Sequence, residues 1–118
     1  MIFYPKGKKI VGKIWGFGVE VTFRTRKLER EYREHTRAVK AYGVDVARRY
    51  IQRINIIKQA HNIEELMALP VLRCHALKAS RTGQYAAKLT GFYRLIFTLK
   101  GDASEIAQIE EVSKHYGD

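Results

Sequence analysis

The stretch LRCHALKASRTGQYAAKLTGFYRLIFTLKGD, residues 72–102, decides the fold. Three runs within it, LRCHALK, QYAAKLT and FYRLIFTLK, alternate apolar and polar residues as half-buried strands do. RTG, TG and KGD separate them, and connections this short join antiparallel neighbours. A further run, IAQIEEVSK at 106–114, adds a last strand; Ile106, Ile109 and Val112 break strict alternation, which implies a bulge. In FYRLIFTLK the alternation puts Tyr93, Leu95, Phe97 and Leu99 on one side, with Phe92, Arg94, Ile96 and Thr98 on the other. By the same count Tyr85, Ala87 and Leu89 join the first set, while Gln84, Ala86 and Lys88 join Arg94.

Upstream the period changes. VEVTF, 19–23, reads as a first strand, and Thr25 is placed to cap a helix carrying Leu28, Tyr32, Val39 and Tyr42, which Gly43 ends. A second helix starts near Asp45, with Val46, Ala47, Tyr50, Ile51, Ile54 and Ile57 as its apolar face. NIEEL then offers an Asn cap with Glu65 three residues on, a short helix stopped before Pro70. Helices grouped ahead of a meander mean α+β: an N-terminal strand and two helices packed on one face of a mainly antiparallel sheet. Residues 1–18 read as a basic, glycine-interrupted extension, and 19–118 as one domain. The extension has no long apolar core or small-residue cleavage site of a secretory signal, and no run is long enough to span a bilayer. With a single cysteine, Cys74, no internal disulfide can form and a cytoplasmic setting is expected.

A formal charge of +10 on 118 residues favours a polyanionic partner. Between Leu66 and Gly101 there is no Asp or Glu, yet Arg73, Lys78, Arg81, Lys88, Arg94 and Lys100 all fall there. The helix-free face carrying Lys88 and Arg94 is therefore the candidate anion site, with His75 at its edge and SKHY supplying His115 and Tyr116 at the end of the last strand. Magnesium nucleases need carboxylates, which this segment lacks. Metal-independent RNA cleavage needs a base for the 2′-OH, cations on the phosphorane and an acid for the leaving 5′-oxygen. His, Tyr, Lys and Arg can supply all three, and the 2′-OH restricts the substrate to RNA. Cys74 reads as an interior strand residue, and Ser80, Ser104 and Ser113 have no nucleophile context.

RCHALKASRTGQYAAKLTGFYRLIF followed by IEEVSKHYGD resembles the HigB branch of the RelE/ParE toxins of type II toxin–antitoxin systems, over roughly residues 19–118. The resemblance implies a RelE-like fold and a metal-independent endoribonuclease, an mRNA interferase acting on mRNA on the ribosome. It implies a cognate helix-turn-helix, HigA-like antitoxin, no membrane partner and no small-molecule cofactor. Carried over by motif, the catalytic set is His75, Lys78, Arg94, His115 and Tyr116, with Arg73, Arg81, Lys88 and Lys114 as RNA contacts. Residues 114–116 read Lys-His-Tyr where HigB sequences commonly carry Asp-Tyr-His, so the motif assigns the proton transfer to either His115 or Tyr116. Two other readings use the same surface. One is a ParE-like gyrase inhibitor, which needs no acid/base pair; the other is a non-catalytic RNA- or ribosome-binding module.

Overall fold

The protein was analysed as a computed structural model, which describes residues 18–114. The chain runs β1 (Glu20–Phe23), α1 (Arg26–Arg33), α2 (His35–Tyr42), α3 (Val44–Gln59), α4 (Ile63–Met67), β2 (His75–Ala76), β3 (Gln84–Lys88), β4 (Tyr93–Lys100) and β5 (Ile106–Lys114). A single 3-10 turn, Ala79–Arg81, joins β2 to β3. The five strands lie in the order β1-β5-β4-β3-β2; β2 to β5 form the antiparallel meander, and β1 pairs with β5 in parallel. The α+β architecture inferred from the alternation is the one observed.

Tyr50, Ile54 and Ile57 of α3 pack with Ala87, Leu95, Phe97, Ala107 and Ile109 of the sheet, forming the core between the layers. Tyr85 and Phe97, paired across β3 and β4, stack at 5.6 Å on this side. Thr25 caps α1, its Oγ1 accepting the Leu28 N–H at 3.1 Å. Asn62 Oδ1 accepts the Glu65 N–H at 2.9 Å, and Glu65 reaches back to the His61 backbone N–H at 2.9 Å and to the His61 ring.

Three expectations change. The single helix from Thr25 to Gly43 is two helices, broken at Glu34, whose extended backbone (φ −121°, ψ 101°) ends α1 and starts α2. The break lets Ala38 bury fully and turns Tyr42 so that its hydroxyl donates to the Glu31 carboxylate, which Lys27 also pairs. Glu31 is only 3% exposed, so these partners are what make its burial tolerable. The strand expected over LRCHALK shrinks to His75–Ala76, because Pro70 opens a turn and Arg73 adopts φ +45°. Leu72 and Cys74 still reach the core, and the Leu72 carbonyl takes the Lys88 N–H at 2.6 Å. Phe92, placed with Arg94 by alternation, lies instead in the exposed β3–β4 turn, since β4 begins at Tyr93. The expected bulge is present: the β4–β5 register slips between Ile96 and Phe97, which face Glu111 and Ile109, leaving Glu110 as the extra residue.

Tyr50 is fully buried and its hydroxyl donates to the Leu28 carbonyl at 2.7 Å. Burial, then the neighbouring Tyr42 and Glu31, raise the Tyr50 phenol well above its ordinary 10.0. Tyr42 is raised by burial first, then by its bond to Glu31 and that group's charge. Both keep their protons in the folded chain where the unfolded chain would lose them, so stability is unaffected below pH 10.0 and falls as pH rises beyond it. We therefore expect urea midpoints to decline above that pH, and Tyr42→Phe to flatten the decline. At neutral pH Tyr50→Phe should cost about 1 kcal/mol, the usual net worth of one buried hydrogen bond.

Candidate nucleic-acid interface

The register fixes which side chains share the sheet face away from the helices. One cross-strand row runs His75, Ala86, Ile96, Glu111, and the next runs Lys88, Arg94, Ser113. A cleft of about 190 Å³ opens on this face, lined by His75, Leu77, Arg81, Ala86, Arg94, Ile96 and Ser113. Its floor is apolar and closed. Ala86 and Ile96 are 2% and 3% exposed although no helix covers them.

Three of the residues singled out by sequence, His75, Arg81 and Arg94, meet in this cleft. Lys88 stands opposite Arg94 in the register and is half-buried beside it. Lys78, at the start of the 3-10 turn, and Arg73, before β2, are exposed at the edge and do not line the cleft. Lys114 pairs with Tyr93, so the register assigns it to the other face, and its ammonium sits 5.9 Å from the Tyr93 ring. His115 and Tyr116 lie outside the described residues, as do residues 1–17 of the basic extension.

The imidazole of His75 has a defined orientation. Its Nδ1 lies 3.0 Å from the Arg73 carbonyl oxygen, which can only accept, so Nδ1 carries a hydrogen. In the neutral ring Nε2 is then the lone-pair nitrogen, able to take a proton. Arg94 Nη1 donates to the Thr90 carbonyl at 3.3 Å, tying the side chain to the β3–β4 turn. Arg81 is held twice, by Gln84 and by Glu111, each at 2.7 Å.

Glu111 and Ser113 are the site residues that sequence reasoning missed, while Gln84, set on this face by alternation, proves to hold Arg81. The run from Leu66 to Gly101 has no acid, but β5 brings Glu110 and Glu111 onto the same face. Glu110 accepts from Thr98 at 2.8 Å and Gln108 at 2.9 Å and pairs with Arg24 at 3.3 Å, while Glu111 meets Arg81. The signal was the adjacent pair of glutamates inside an irregular strand, where a bulge lets both face one way.

The core side braces this site with two arginines of α3. Arg53, 5% exposed, donates from Nε to the Lys88 carbonyl at 3.0 Å, and Arg49 donates to the Leu89 carbonyl at 3.1 Å. Burial, then the charges of Arg49 and Arg48, lower the Arg53 pKa. Cys74 is buried at the core edge, and burial pushes its thiol up to about 11, which makes it a poor nucleophile.

No family model and no curated protein matches the sequence. Solved structures do match the fold. A YoeB/ParE toxin from Agrobacterium tumefaciens aligns over 83% of this chain and 100% of its own, with a TM-score of 0.56 and 11% identity. The YoeB–YefM complex from Staphylococcus aureus aligns over 83% of this chain and 98% of its own, at a TM-score of 0.55 and 15% identity. The Escherichia coli DinJ–YafQ complex gives 82% and 93%, a TM-score of 0.54 and 15% identity. At these identities the likeness is one of fold: helices on one face of a five-stranded mixed sheet.

Arg53→Ala should cost about 1.5–3 kcal/mol, the range for a hydrogen bond to a charged group. Amide exchange should accelerate through residues 88–94, because the end of β3 loses its brace. Alkylation of Cys74 at neutral pH should remain slow in the native protein and become fast in denaturant.

Proposed function

We propose that the chain is the toxin of a type II toxin–antitoxin pair, a HigB-like mRNA interferase that cuts RNA at the cleft on the helix-free sheet face. The observation that carries this reading is the convergence of His75, Arg81 and Arg94 on one closed-floored cleft. The fold shared with YoeB and YafQ toxins supports it, as does the hairpin motif that resembles HigB.

The chemistry needs no metal. A phosphate seated between Arg94 and Arg81 has its charge matched as it passes to the phosphorane. His75 Nε2 can take the 2′-OH proton, because the Arg73 carbonyl holds the opposite ring nitrogen as a donor. His115 or Tyr116, next after Lys114 in the chain, then protonates the departing 5′-oxygen. Products would be a 2′,3′-cyclic phosphate and a free 5′-hydroxyl. Lys88 adds positive charge beside Arg94, while Lys78 and Arg73 serve as peripheral contacts to the RNA backbone. In this reading residues 19–118 are the toxin domain, acting in the cytoplasm, and the ribosome presents the mRNA. The YefM and DinJ complexes support an antitoxin partner here, which we read as a HigA-like helix-turn-helix protein.

Expression without a partner should arrest growth and shorten cellular mRNAs, with 5′-hydroxyl ends mapped by primer extension. Arg94→Ala should lower cleavage on the order of 10²-fold, as loss of one donor to a transition-state oxyanion does. His75→Ala, and His115→Ala combined with Tyr116→Phe, should also relieve toxicity. Full toxicity in all these variants would overturn the site. Inhibition of gyrase supercoiling with intact mRNA would favour the ParE-like reading. Salt-sensitive RNA binding without cut ends would favour the non-catalytic module.

A further inference from the structure

Arg81 is a cleft cation whose guanidinium is held by two side chains from different strands. Its Nε donates to Gln84 Oε1 and its Nη2 to Glu111 Oε2, each at 2.7 Å. In the register, Ala86 of β3 and Ile96 of β4 stand between β2 and Glu111, so Arg81 reaches across two strands to β5. Nε–H and the neighbouring Nη2–H form one edge of the planar group. Engaging these two atoms leaves Nη1 and the remaining Nη2 hydrogen, the end edge, which matches two phosphate oxygens.

A half-exposed ion pair of this kind adds little to stability, so holding the fold is a weak reason for it. Holding a flexible side chain at the wall of a cleft is a stronger one, because an ordered donor loses less freedom when a ligand arrives. We propose that Glu111 and Gln84 are positioning residues that fix Arg81 so its free edge faces the cleft as a second phosphate hand opposite Arg94. The proposal rests on the reading that the cleft takes RNA phosphate. The opposite role, a carboxylate that competes with phosphate for Arg81, predicts effects of the reverse sign.

The test is a cycle of Arg81→Ala, Glu111→Ala and the double variant, with Glu111→Gln as the conservative form. Cleavage of a reporter mRNA is followed in a translation extract, and affinity is measured for a short 2′-O-methyl oligoribonucleotide that cannot be cut. Glu111→Ala should lower cleavage by about tenfold or more, the scale of a misplaced reacting group. It should change the thermal midpoint little, and Glu111→Gln, which keeps the acceptor, should recover most of the loss. Adding Glu111→Ala to Arg81→Ala should cause no further loss. Faster cleavage or tighter binding in Glu111→Ala, or an equal loss with and without Arg81, would overturn the proposal. Binding without cleavage by the unaltered protein would sink the endoribonuclease reading alone. The affinity cycle would still decide whether Glu111 acts through Arg81.

Discussion

The bulge in β5 decides which side chains reach the helix-free face of the sheet. β5 is bonded on both sides, to β4 antiparallel and to β1 in parallel, so its register propagates through the sheet. Before the bulge, Ala107 and Ile109 face the helices; after it, Val112 does, opposite Leu95. One extra residue is what allows a helix-facing apolar series to resume and yet leaves both Glu110 and Glu111 on the far side. Without it, strict alternation would carry Glu111 toward the core and Val112 outward. Glu110 alone would face outward, opposite Ile96, and Val112 would take the place of Ser113 beside Arg94.

Much of this could be read from the sequence, and the reason is period. The β3 and β4 runs alternate cleanly, so they announced both their faces and the position of Arg94. The α3 face and the Thr25 and Asn62 caps were legible for the same reason: each follows from local chemistry. The failures share a cause. The break at Glu34 goes with a buried Glu31 held by Lys27 and Tyr42, a polar cluster assembled from two helices. The shortening of β2 depends on the backbone turning at Arg73, a residue type with no preference for positive φ. The parallel pairing of β1 with β5 joins segments at opposite ends of the chain, which no local signal encodes.

The candidate site was legible in a narrower sense. His75 and Arg94 were marked by residue type and by the motif they belong to, and the register puts them on one face. Lys114 was marked by charge alone, and charge does not report parity within an irregular strand. Glu111 was hidden for the same reason. Counting acids along the chain suggested a purely cationic face, whereas the sheet brings two carboxylates from a distant strand onto it. Relatives of the fold at 11–15% identity keep the architecture with few of the same side chains, so the site has to be argued from residues and not from topology.

The closed floor of the cleft gives those residues their force. A sheet face without helices would ordinarily be wet, and cations spread over it would meet phosphate through a high dielectric. Here the β2–β3 connection brings Leu77 and Arg81 to the cleft over Ala86 and Ile96, and both floor residues are nearly inaccessible. Arg94 and Arg81 therefore stand at the wall of a pocket whose base excludes water. A pair of charges so placed would act more strongly on an anion than the same pair on an open strand surface. The small side chain of Ala86 matters for the opposite reason: anything larger at that position would fill the cleft. Apolar packing on the face that lacks a helix layer is thus part of the electrostatics of the site.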